Sequence, residues 1–353
     1  MKSLYIMGTP GSGKTVVALG LAQKLQQEGY KVGYFKPVAN GRKIAGKVEL
    51  DAILMKEVLG LNVPLEKIAP IATSSFYLSA KGNLNDAFSI IMEAYDQVSK
   101  GNEIMLIDGA LSVDILSSCG IDSITLAKKM GSSVLLTLKA ENDYSLDNAI
   151  FLNRHLALEG ISVTGTIFSN VPRPLCAKTD GIYRPILEQL GYKTLGVFPT
   201  RPEIAAPTVG EYYDVLGGEI LAAHERLNLL VEDLIVGAMT MASALTYLRR
   251  AANKAVILGG DRADLALAAL ETSTSVLILT GGLYPDVKVI ARAEEKRVPI
   301  ILVHFDTYTT IEKLAQVSRH IQPTDKESIN VALENIEKYC DWKSIIDNIE
   351  TFQ

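Results

Sequence analysis

The chain has 353 residues, of which 48% are hydrophobic and 21% are charged, a composition that suits two globular domains with separate cores. Its net charge of −5 argues against nucleic acid as the main partner. No apolar stretch approaches the ~20 residues that span a bilayer, so no membrane partner is expected. The sequence enters a strand after two residues, without a charged leader or a cleavage site, which predicts a cytoplasmic protein.

The cysteines and histidines indicate neither a disulfide framework nor a zinc site. Cys119, Cys176 and Cys340 are odd in number and far apart, without C-x-x-C spacing. The four histidines also lack the spacing of metal ligands, so a structural role is expected for each.

The amino-terminal end carries a complete phosphate-loop motif, G-x-x-x-x-G-K-[ST], between an apolar run and a helical pattern. Its residues are Gly8, Thr9, Pro10, Gly11, Ser12, Gly13, Lys14 and Thr15. The glycines let backbone N–H groups surround an anion, and the next helix directs its positive end to the same point. Lys14 would then reach the β- and γ-phosphates, and the Thr15 hydroxyl would hold magnesium. The alternative is an ordinary glycine-rich turn between strand and helix.

A lysine follows the second predicted strand, 31–35, where Pro37 prevents further pairing. Lys36 therefore emerges at the carboxyl edge of the strands, where open α/β sheets bind their ligands. Lys14 and Lys36 are the candidate catalytic residues. The surrounding positive cluster, Lys31 to Lys47, is interpreted as an anion funnel rather than a nucleic-acid groove.

Two acids are candidate magnesium ligands together with Thr15. Asp108 ends an apolar, buried-type strand at 103–108, the usual position of the second half of a phosphate-loop site. Asp51 lies in the first turn of a predicted helix at 50–59. A carboxylate there also stabilises the positive end of a helix without any metal, and an acid at a strand end is also typical of a solvated loop.

The first domain continues as regular βα alternation, which predicts a doubly wound, mostly parallel sheet of the α/β class. Further strands are expected at 133–138, 163–168 and 193–198, with helices near 84–100, 121–131, 143–159 and 179–191. Asn170, Val197 and Pro199 follow two of these strands and suit the amine and ring edge of a purine. A turn-forming role for Asn170 is the open alternative.

From about residue 210 the pattern predicts a second, smaller α/β domain. The expected helices are 221–230, 240–251, 263–271 and 286–297, and the expected strands are 235–237, 255–258, 275–280 and 299–303. Glycine pairs after two strands would admit a phosphate held by Arg262, or would simply form tight turns. The predicted domains are 1–213 and 214–325, followed by a helical tail, 326–353.

Several segments of the sequence match motifs of known protein families. The first domain resembles dethiobiotin synthetase, and nearly the whole chain resembles the non-catalytic N-terminal portion of long bacterial phosphotransacetylases, in which a DRTGG-type domain follows. The matching segments, in chain order, begin at Gly8, Lys36, Asp51, Thr73, Asp108, Asn170, Leu195, Gly260 and Leu277. The resemblance implies that Lys36 contacts substrate and phosphate, that Asp51 and Asp108 hold magnesium, and that Asn170 binds adenine. It also implies a homodimer.

The sequence departs from the synthetase in three places. Its phosphate loop is one residue shorter and lacks an acid, the second metal ligand is Asp rather than Glu, and Ala110-Leu111-Ser112 replaces pocket-forming glycines. The nucleotide chemistry is therefore expected to be kept, whereas carboxylation of a diamine is not.

The sequence predicts a magnesium-dependent ATP-binding protein that hydrolyses ATP slowly or transfers phosphate to a small acid, with a second domain that senses a regulatory ligand or partner. One alternative is a dethiobiotin synthetase or a related ATP-dependent ligase. Another is a non-catalytic nucleotide-binding module linked to acetyl-phosphate metabolism. Because the sequence ends at Gln353, before the portion that acts in the long phosphotransacetylases, acetyl transfer to coenzyme A is not expected of it.

Overall fold

A computed structural model of the protein describes residues 1–40, 49–73, 77–78, 84, 86–315 and 317–349. The chain forms two compact units: Met1–Ile204 with Ile321–Gln353, and Ala205–His320. Within the described ranges, no helix is long and apolar enough to cross a bilayer. Gly41, the basic residues Arg42, Lys43 and Lys47 of the predicted anion funnel, and Ser74-Ser75 lie outside the described residues.

A six-stranded parallel sheet forms the centre of the first unit. Its strands are β1 (Lys2–Gly8), β2 (Val32–Phe35), β5 (Ile104–Asp108), β6 (Ser133–Lys139), β7 (Val163–Val171) and β8 (Thr194–Pro199). They lie in the order β2-β5-β1-β6-β7-β8. Every residue of β2 and β5 is buried, which explains their unbroken apolar sequences. The strand order reverses beside β1, so the phosphate loop begins at the switch point of a doubly wound sheet.

Two short strands pair apart from this sheet. They are β3 (Val38–Asn40) and β4 (Ile71–Thr73), which run parallel to each other. Pro37 therefore ends the pairing of β2, as predicted, but the chain resumes an extended course that the sequence analysis did not predict.

Helices cover both faces of the six-stranded sheet. One face carries α4 (Ala87–Val98), α5 (Ser123–Lys129) and α6 (Tyr144–Leu158), and the other carries α1 (Lys14–Gln27) and α2 (Leu50–Leu59). Shorter helices are α3 (Leu65–Ile68), α7 (Arg173–Lys178), α8 (Arg184–Gln189) and α9 (Pro202–Ala205). The single helix predicted at 179–191 is instead a π-helical turn, Thr179–Tyr183, leading into α8.

The last helices, α15 (Lys326–Tyr339) and α16 (Trp342–Asn348), belong to the first unit and complete its second core. They were predicted as a tail after the second domain. Helix α15 packs against α1 at Gly20, where an added Cβ would lie 2.2 Å from the Ala332 carbonyl oxygen. The missing side chain therefore lets the two helix backbones approach closely.

The second unit has a five-stranded sheet. The strands are β9 (Glu219–Ala222), β10 (Asp233–Val236), β11 (Lys254–Gly259), β12 (Thr274–Thr280) and β13 (Ile300–Leu302). They lie in the order β10-β11-β12-β13-β9 and are parallel except for β9. The helices are α10 (Val209–Leu216), α11 (Met241–Leu248), α12 (Ala263–Leu270), α13 (Val287–Lys296) and α14 (Thr307–Leu314).

The helix predicted at 221–230 is wrong. The chain there forms β9 and a short 3₁₀ turn, His224–Arg226. Gly218 has a φ of +92°, and a Cβ on it would lie 2.1 Å from the Leu302 carbonyl oxygen. This glycine lets the chain turn tightly against β13, and antiparallel pairing with β13 then outweighs the helical pattern.

Candidate functional site

The phosphate loop connects the end of β1 to the start of α1. Gly11 and Gly13 adopt left-handed conformations, with φ of +70° and +67°. Gly13 is the N-cap of α1 and no side chain caps the helix there. The N–H groups of the first helical turn have no acceptor within the helix, so they are available to an anion at this end. Pro10 and Gly11 are exposed at the tip of the loop.

Contacts with the neighbouring strands hold the loop in place. The Thr9 N–H donates to the Thr137 carbonyl at 3.2 Å, and the Lys139 N–H donates to the Thr9 hydroxyl at 3.1 Å. The hydroxyls of Ser12 and Thr137 lie 3.0 Å apart, and the Ser169 hydroxyl donates to the Ser12 carbonyl. Gly8 is required beside β6, because a Cβ on it would lie 1.7 Å from the Thr137 carbonyl oxygen.

The ammonium group of Lys14 folds over the loop. Its Nζ donates to the carbonyl of Thr9 at 3.1 Å and to that of Leu111 at 2.9 Å. The residue is only 8% exposed, and this burial lowers the pKa of its ammonium to about 8. Neutral carbonyl partners compensate little of that cost, so the position favours a negatively charged ligand.

The three predicted magnesium ligands meet beside the loop. The Thr15 hydroxyl lies 3.0 Å from Asp51 Oδ2 and 2.8 Å from Asp108 Oδ2. Because a hydroxyl has one hydrogen, Thr15 donates to only one of these oxygens at a time. Asp51 and Asp108 lie 36 and 93 positions after Thr15 in the sequence, and the fold brings the oxygen atoms of all three side chains together.

Lys36 lies among the same carboxylates. Its Nζ is 2.6 Å from Asp51 Oδ2, 2.9 Å from Asp108 Oδ2 and 3.6 Å from Glu49 Oε1. Burial disfavours its charge, but Asp108, Asp51 and Glu49 outweigh that effect and raise the pKa of Lys36. Burial also raises the pKa of Glu49, to about 7. The charge of Lys36 opposes this effect, whereas the negative charges of Asp51 and Asp108 add to it.

Two members of this cluster, Glu49 and Tyr34, were not found by sequence reasoning. The fully buried Tyr34 donates its phenol hydrogen to Asp108 Oδ2 at 2.8 Å. The signal for it was present, because Tyr34 lies two residues before Lys36, and alternate residues of a strand share a face. Glu49 lies two residues before Asp51, at the N-cap of α2, and carries no comparable signal.

The donor set fits magnesium bound together with a phosphate ligand. Among the described residues there is no cluster of three or more His, Cys, Asp or Glu side chains arranged to hold a metal alone. Two carboxylates and a hydroxyl are hard oxygen donors, and magnesium commonly takes few protein ligands and completes its shell with phosphate and water. Asp108 Oδ1 is buried without a hydrogen-bond partner, which leaves one carboxylate oxygen available to a cation.

The residues predicted to contact a base lie farther along the same sheet edge. Asn170 is next to Ser169, which holds the loop, and Pro199 pairs with Val171 at the end of β8. At about 4.8 Å per strand, Asn170 and Pro199 lie roughly 10 and 14 Å from β1. Asn170 has a φ of +51°, a conformation in which Asn is enriched, and it lies within β7 where the register with β8 shifts, so it forms an irregularity of the strand rather than a turn after it. Val197 and Pro199 are half-buried.

A cavity of about 730 Å³ borders the other side of the loop, at Gly8, Thr9 and Pro10. Its remaining wall comes from the segment after β5 and from α5 and α6, including Lys128 and His155. The sequence analysis did not predict it. The cavity places open space beside the loop, on the side of α6.

In the second unit the glycine pairs act as structural turns. Gly281 and Gly282 have φ of +80° and +67°, and a Cβ on Gly260 would lie 1.7 Å from the Leu283 carbonyl oxygen. Arg262 is engaged by Asp264 at 3.2 Å and also donates to the Met239 carbonyl. The tight-turn alternative therefore accounts for these residues without a ligand.

Two family matches divide the chain in the same order as the sequence analysis. Residues 2–208 match the family described as AAA domain, and residues 211–317 match the DRTGG domain. The chain belongs to the AAA domain family. This AAA domain protein thus has a phosphate-loop domain of the dethiobiotin-synthetase-like type followed by a DRTGG domain, which confirms the resemblance found in the sequence.

Curated relatives align with nearly the whole of the AAA domain protein. It is 26% identical over 360 residues to a phosphate acetyltransferase of Pseudomonas putida, covering 97% of this chain and 51% of the relative. A phosphate acetyltransferase of Nitratidesulfovibrio vulgaris is 26% identical over 370 residues, covering 96% of this chain and 50% of the relative. The AAA domain protein therefore spans about half the length of these relatives.

Solved structures match portions of the AAA domain protein with low TM-scores. The septum site-determining protein MinD of Pyrococcus horikoshii, complexed with Mg-ADP, matches with a TM-score of 0.35 and 17% identity, covering 57% of this chain and 83% of MinD. The CBS and DRTGG domains of the regulatory region of Clostridium perfringens pyrophosphatase, complexed with diadenosine tetraphosphate, match with a TM-score of 0.28 and 22% identity, covering 37% of this chain and 60% of that chain.

Proposed function

We propose that this protein binds magnesium-ATP at Gly8–Thr15 and hydrolyses it slowly or transfers its terminal phosphate to a small acid. In this proposal the DRTGG unit senses a regulatory ligand or a partner. The convergence of Thr15, Asp51 and Asp108 beside an uncapped helix N-terminus is the observation that carries the proposal. Such a site offers backbone N–H groups to phosphate and hard oxygens to a divalent cation.

The lysines supply the positive charge of the proposed site. Lys14 exchanges its carbonyl partners, Thr9 and Leu111, for phosphate oxygens, which are far better partners for a buried ammonium. Magnesium, when bound, would neutralise charge that develops on the transferred phosphate. Thr15, Asp51 and Asp108 would hold that ion.

Lys36 has two roles in the proposal. Without a divalent cation its ammonium neutralises Asp51 and Asp108, which would otherwise repel each other in a buried place. If those carboxylates held a divalent cation, the ammonium of Lys36 would be free to bind an anionic group of the acceptor. At the far end of the sheet edge, Asn170, Val197 and Pro199 would contact the adenine.

Calorimetric titration with magnesium-ATP tests the nucleotide site. We expect Lys14→Ala to weaken binding roughly 10- to 100-fold, because it removes a charge-assisted hydrogen bond to phosphate. Lys338→Ala, which removes a lysine that is 58% exposed on α15, is the matched control and should bind as the unmodified protein does. Equal affinities for all three proteins would remove the basis of the proposal.

A second candidate function is a nucleotide-binding module that regulates acetyl-phosphate metabolism without turnover. It is supported by relatives named phosphate acetyltransferase, in which this AAA and DRTGG arrangement occupies about half of a longer chain. Phosphate release over several hours at saturating magnesium-ATP separates the two. Release that is lost in Lys36→Ala favours the enzyme, whereas tight binding with no release favours the regulatory module. The homodimer and the cytoplasmic location stay predictions.

A further inference from the structure

Lys139 is a further lysine at the phosphate loop. It ends β6, the strand that pairs with β1 where the loop begins, and its N–H donates to the Thr9 hydroxyl at 3.1 Å. Its side-chain stem covers the tip of the loop, since a Cβ on Gly11 would lie 3.5 Å from Lys139 Cδ. Both the backbone and the stem of Lys139 are thus positioned by the loop.

The ammonium of Lys139 pairs with the carboxylate of Glu141. Nζ lies 2.5 Å from Glu141 Oε1, and the two side chains are 35% and 57% exposed. The described contacts give this carboxylate no other partner, whereas the Glu141 N–H donates to the Ser145 hydroxyl at 3.1 Å, which fixes the backbone. An ion pair this exposed contributes little to stability, so a nucleotide can replace it at low cost.

The place of Lys139 along the sheet edge indicates which part of a nucleotide it would meet. Lys139 pairs with Ser169, the residue before Asn170, so it lies between the loop on β1 and the proposed adenine contact on β7. At about 4.8 Å per strand, β6 is half-way along the roughly 10 Å that separate β1 from Asn170. A nucleotide with its terminal phosphates in the loop and its base at Asn170 therefore places its α-phosphate and ribose near β6.

We propose that Lys139 and Glu141 are further nucleotide contacts, in which the ammonium binds the α-phosphate and the carboxylate accepts hydrogen bonds from the ribose hydroxyls. This rests on the proposed function and extends it to the specificity of the site. Contacts between an ammonium and phosphate are charge-assisted, and a carboxylate binds the ribose hydroxyl in many nucleotide-binding α/β folds. The site then favours a ribonucleotide over a nucleotide that lacks both ribose hydroxyls.

Calorimetric comparison of magnesium-ATP with magnesium-dideoxy-ATP, which lacks both ribose hydroxyls, tests the ribose contact. We expect the unmodified protein to bind ATP roughly tenfold more tightly, because the dideoxy nucleotide offers Glu141 no hydrogen-bond donor. Glu141→Ala should bind the two nucleotides equally. If the ion pair only braces the turn after β6, the ratio of the two affinities is the same in both proteins. Equal affinities in the unmodified protein, or a preference that Glu141→Ala keeps, overturn the ribose contact.

Lys139→Met tests the phosphate contact, because methionine keeps an unbranched stem over Gly11 and removes the charge. We expect this variant to bind both nucleotides more weakly by the same factor, roughly 5- to 20-fold, and Lys139→Arg to recover most of the loss. Lys296→Met is the matched control, since Lys296 is 37% exposed and pairs with Glu271, 51% exposed, in the second unit. A Lys139→Met protein that binds as tightly as this control overturns the phosphate contact.

Lys14→Ala separates a failure of these contacts from a failure of the phosphate-loop site. Binding that is weakened in Lys14→Ala but unchanged in Lys139→Met and Glu141→Ala retains the phosphate-loop site and rejects the contacts of Lys139 and Glu141. An unmodified protein that binds neither nucleotide rejects both. Circular dichroism checks that each variant is folded.

Discussion

Asp108 has three donor groups at one carboxylate oxygen and no hydrogen-bond partner at the other. Thr15, Tyr34 and Lys36 all lie within 2.9 Å of Oδ2, whereas Oδ1 is buried and unpaired in the described structure. The crowded oxygen fixes the orientation of the carboxylate, which leaves the other oxygen for a cation. Of these three donors, the hydroxyl of Tyr34 can be removed with the least change of shape, because phenylalanine keeps the same ring.

Tyr34→Phe should lower the free energy of unfolding of the first unit by about 1.5–3 kcal/mol, because a buried carboxylate loses a hydrogen bond. Tyr95→Phe is a matched control, since the phenol of the buried Tyr95 bonds neutral serine hydroxyls, that of Ser3 at 2.9 Å and that of Ser132. Tyr95→Phe should lower the free energy of unfolding by only about 0.5–1.5 kcal/mol. Urea unfolding of both variants measures the difference. Equal losses would contradict the special role of the Asp108 contact.

Lys14 should make nucleotide affinity depend on pH. Burial lowers the pKa of Lys14 to about 8 in the free protein, so the ammonium is charged below that pH and neutral above it. Phosphate binding requires the charged form, so affinity should fall as pH rises above 8, by up to about tenfold per pH unit.

Calorimetry between pH 7 and 9.5 measures this dependence on Lys14. Lys14→Arg keeps its charge over the whole range, so its affinity, whatever its absolute value, should stay level above pH 8. An unmodified protein whose affinity is constant from pH 7 to 9.5 would show that Lys14 does not act as proposed.

At the scale of secondary-structure elements, most of the first unit follows from local patterns. The helix predicted at 50–59 is observed with the same bounds, and the strands predicted at 133–138 and 163–168 extend by only one and three residues. Periodicity was sufficient there because each element buries one continuous face. It was insufficient for the helix predicted at 221–230, whose first residues belong to β9 and pair with β13 instead.

The contact between α1 and α15 can be tested at Gly20. In an exposed helix, Gly→Ala stabilises by about 0.5–1 kcal/mol. Here the new Cβ would meet backbone atoms of Ala332, so we expect Gly20→Ala to destabilise the first unit by about 1–3 kcal/mol.

Gly181→Ala is the control for the Gly20 substitution, because nothing lies within 4 Å of a Cβ there. It should leave the stability unchanged or raise it slightly. Thermal unfolding of both variants measures the difference. A stabilised Gly20→Ala protein would show that α15 does not pack closely on α1 in solution.

At the scale of the whole molecule, the sequence by itself determined the phosphate loop, the α/β class of both units and the order of the two domains. Each of these depends on residues that are close together in the chain, such as the motif at Gly8–Thr15. The sequence already grouped Thr15 with Asp51 and Asp108, and the structure brings them together. The tertiary structure alone decided that Tyr34 reaches Asp108 and that the last helices return to the first unit. The reason is physical: these contacts join segments far apart in sequence, and only packing selects them from the many pairings that local patterns allow.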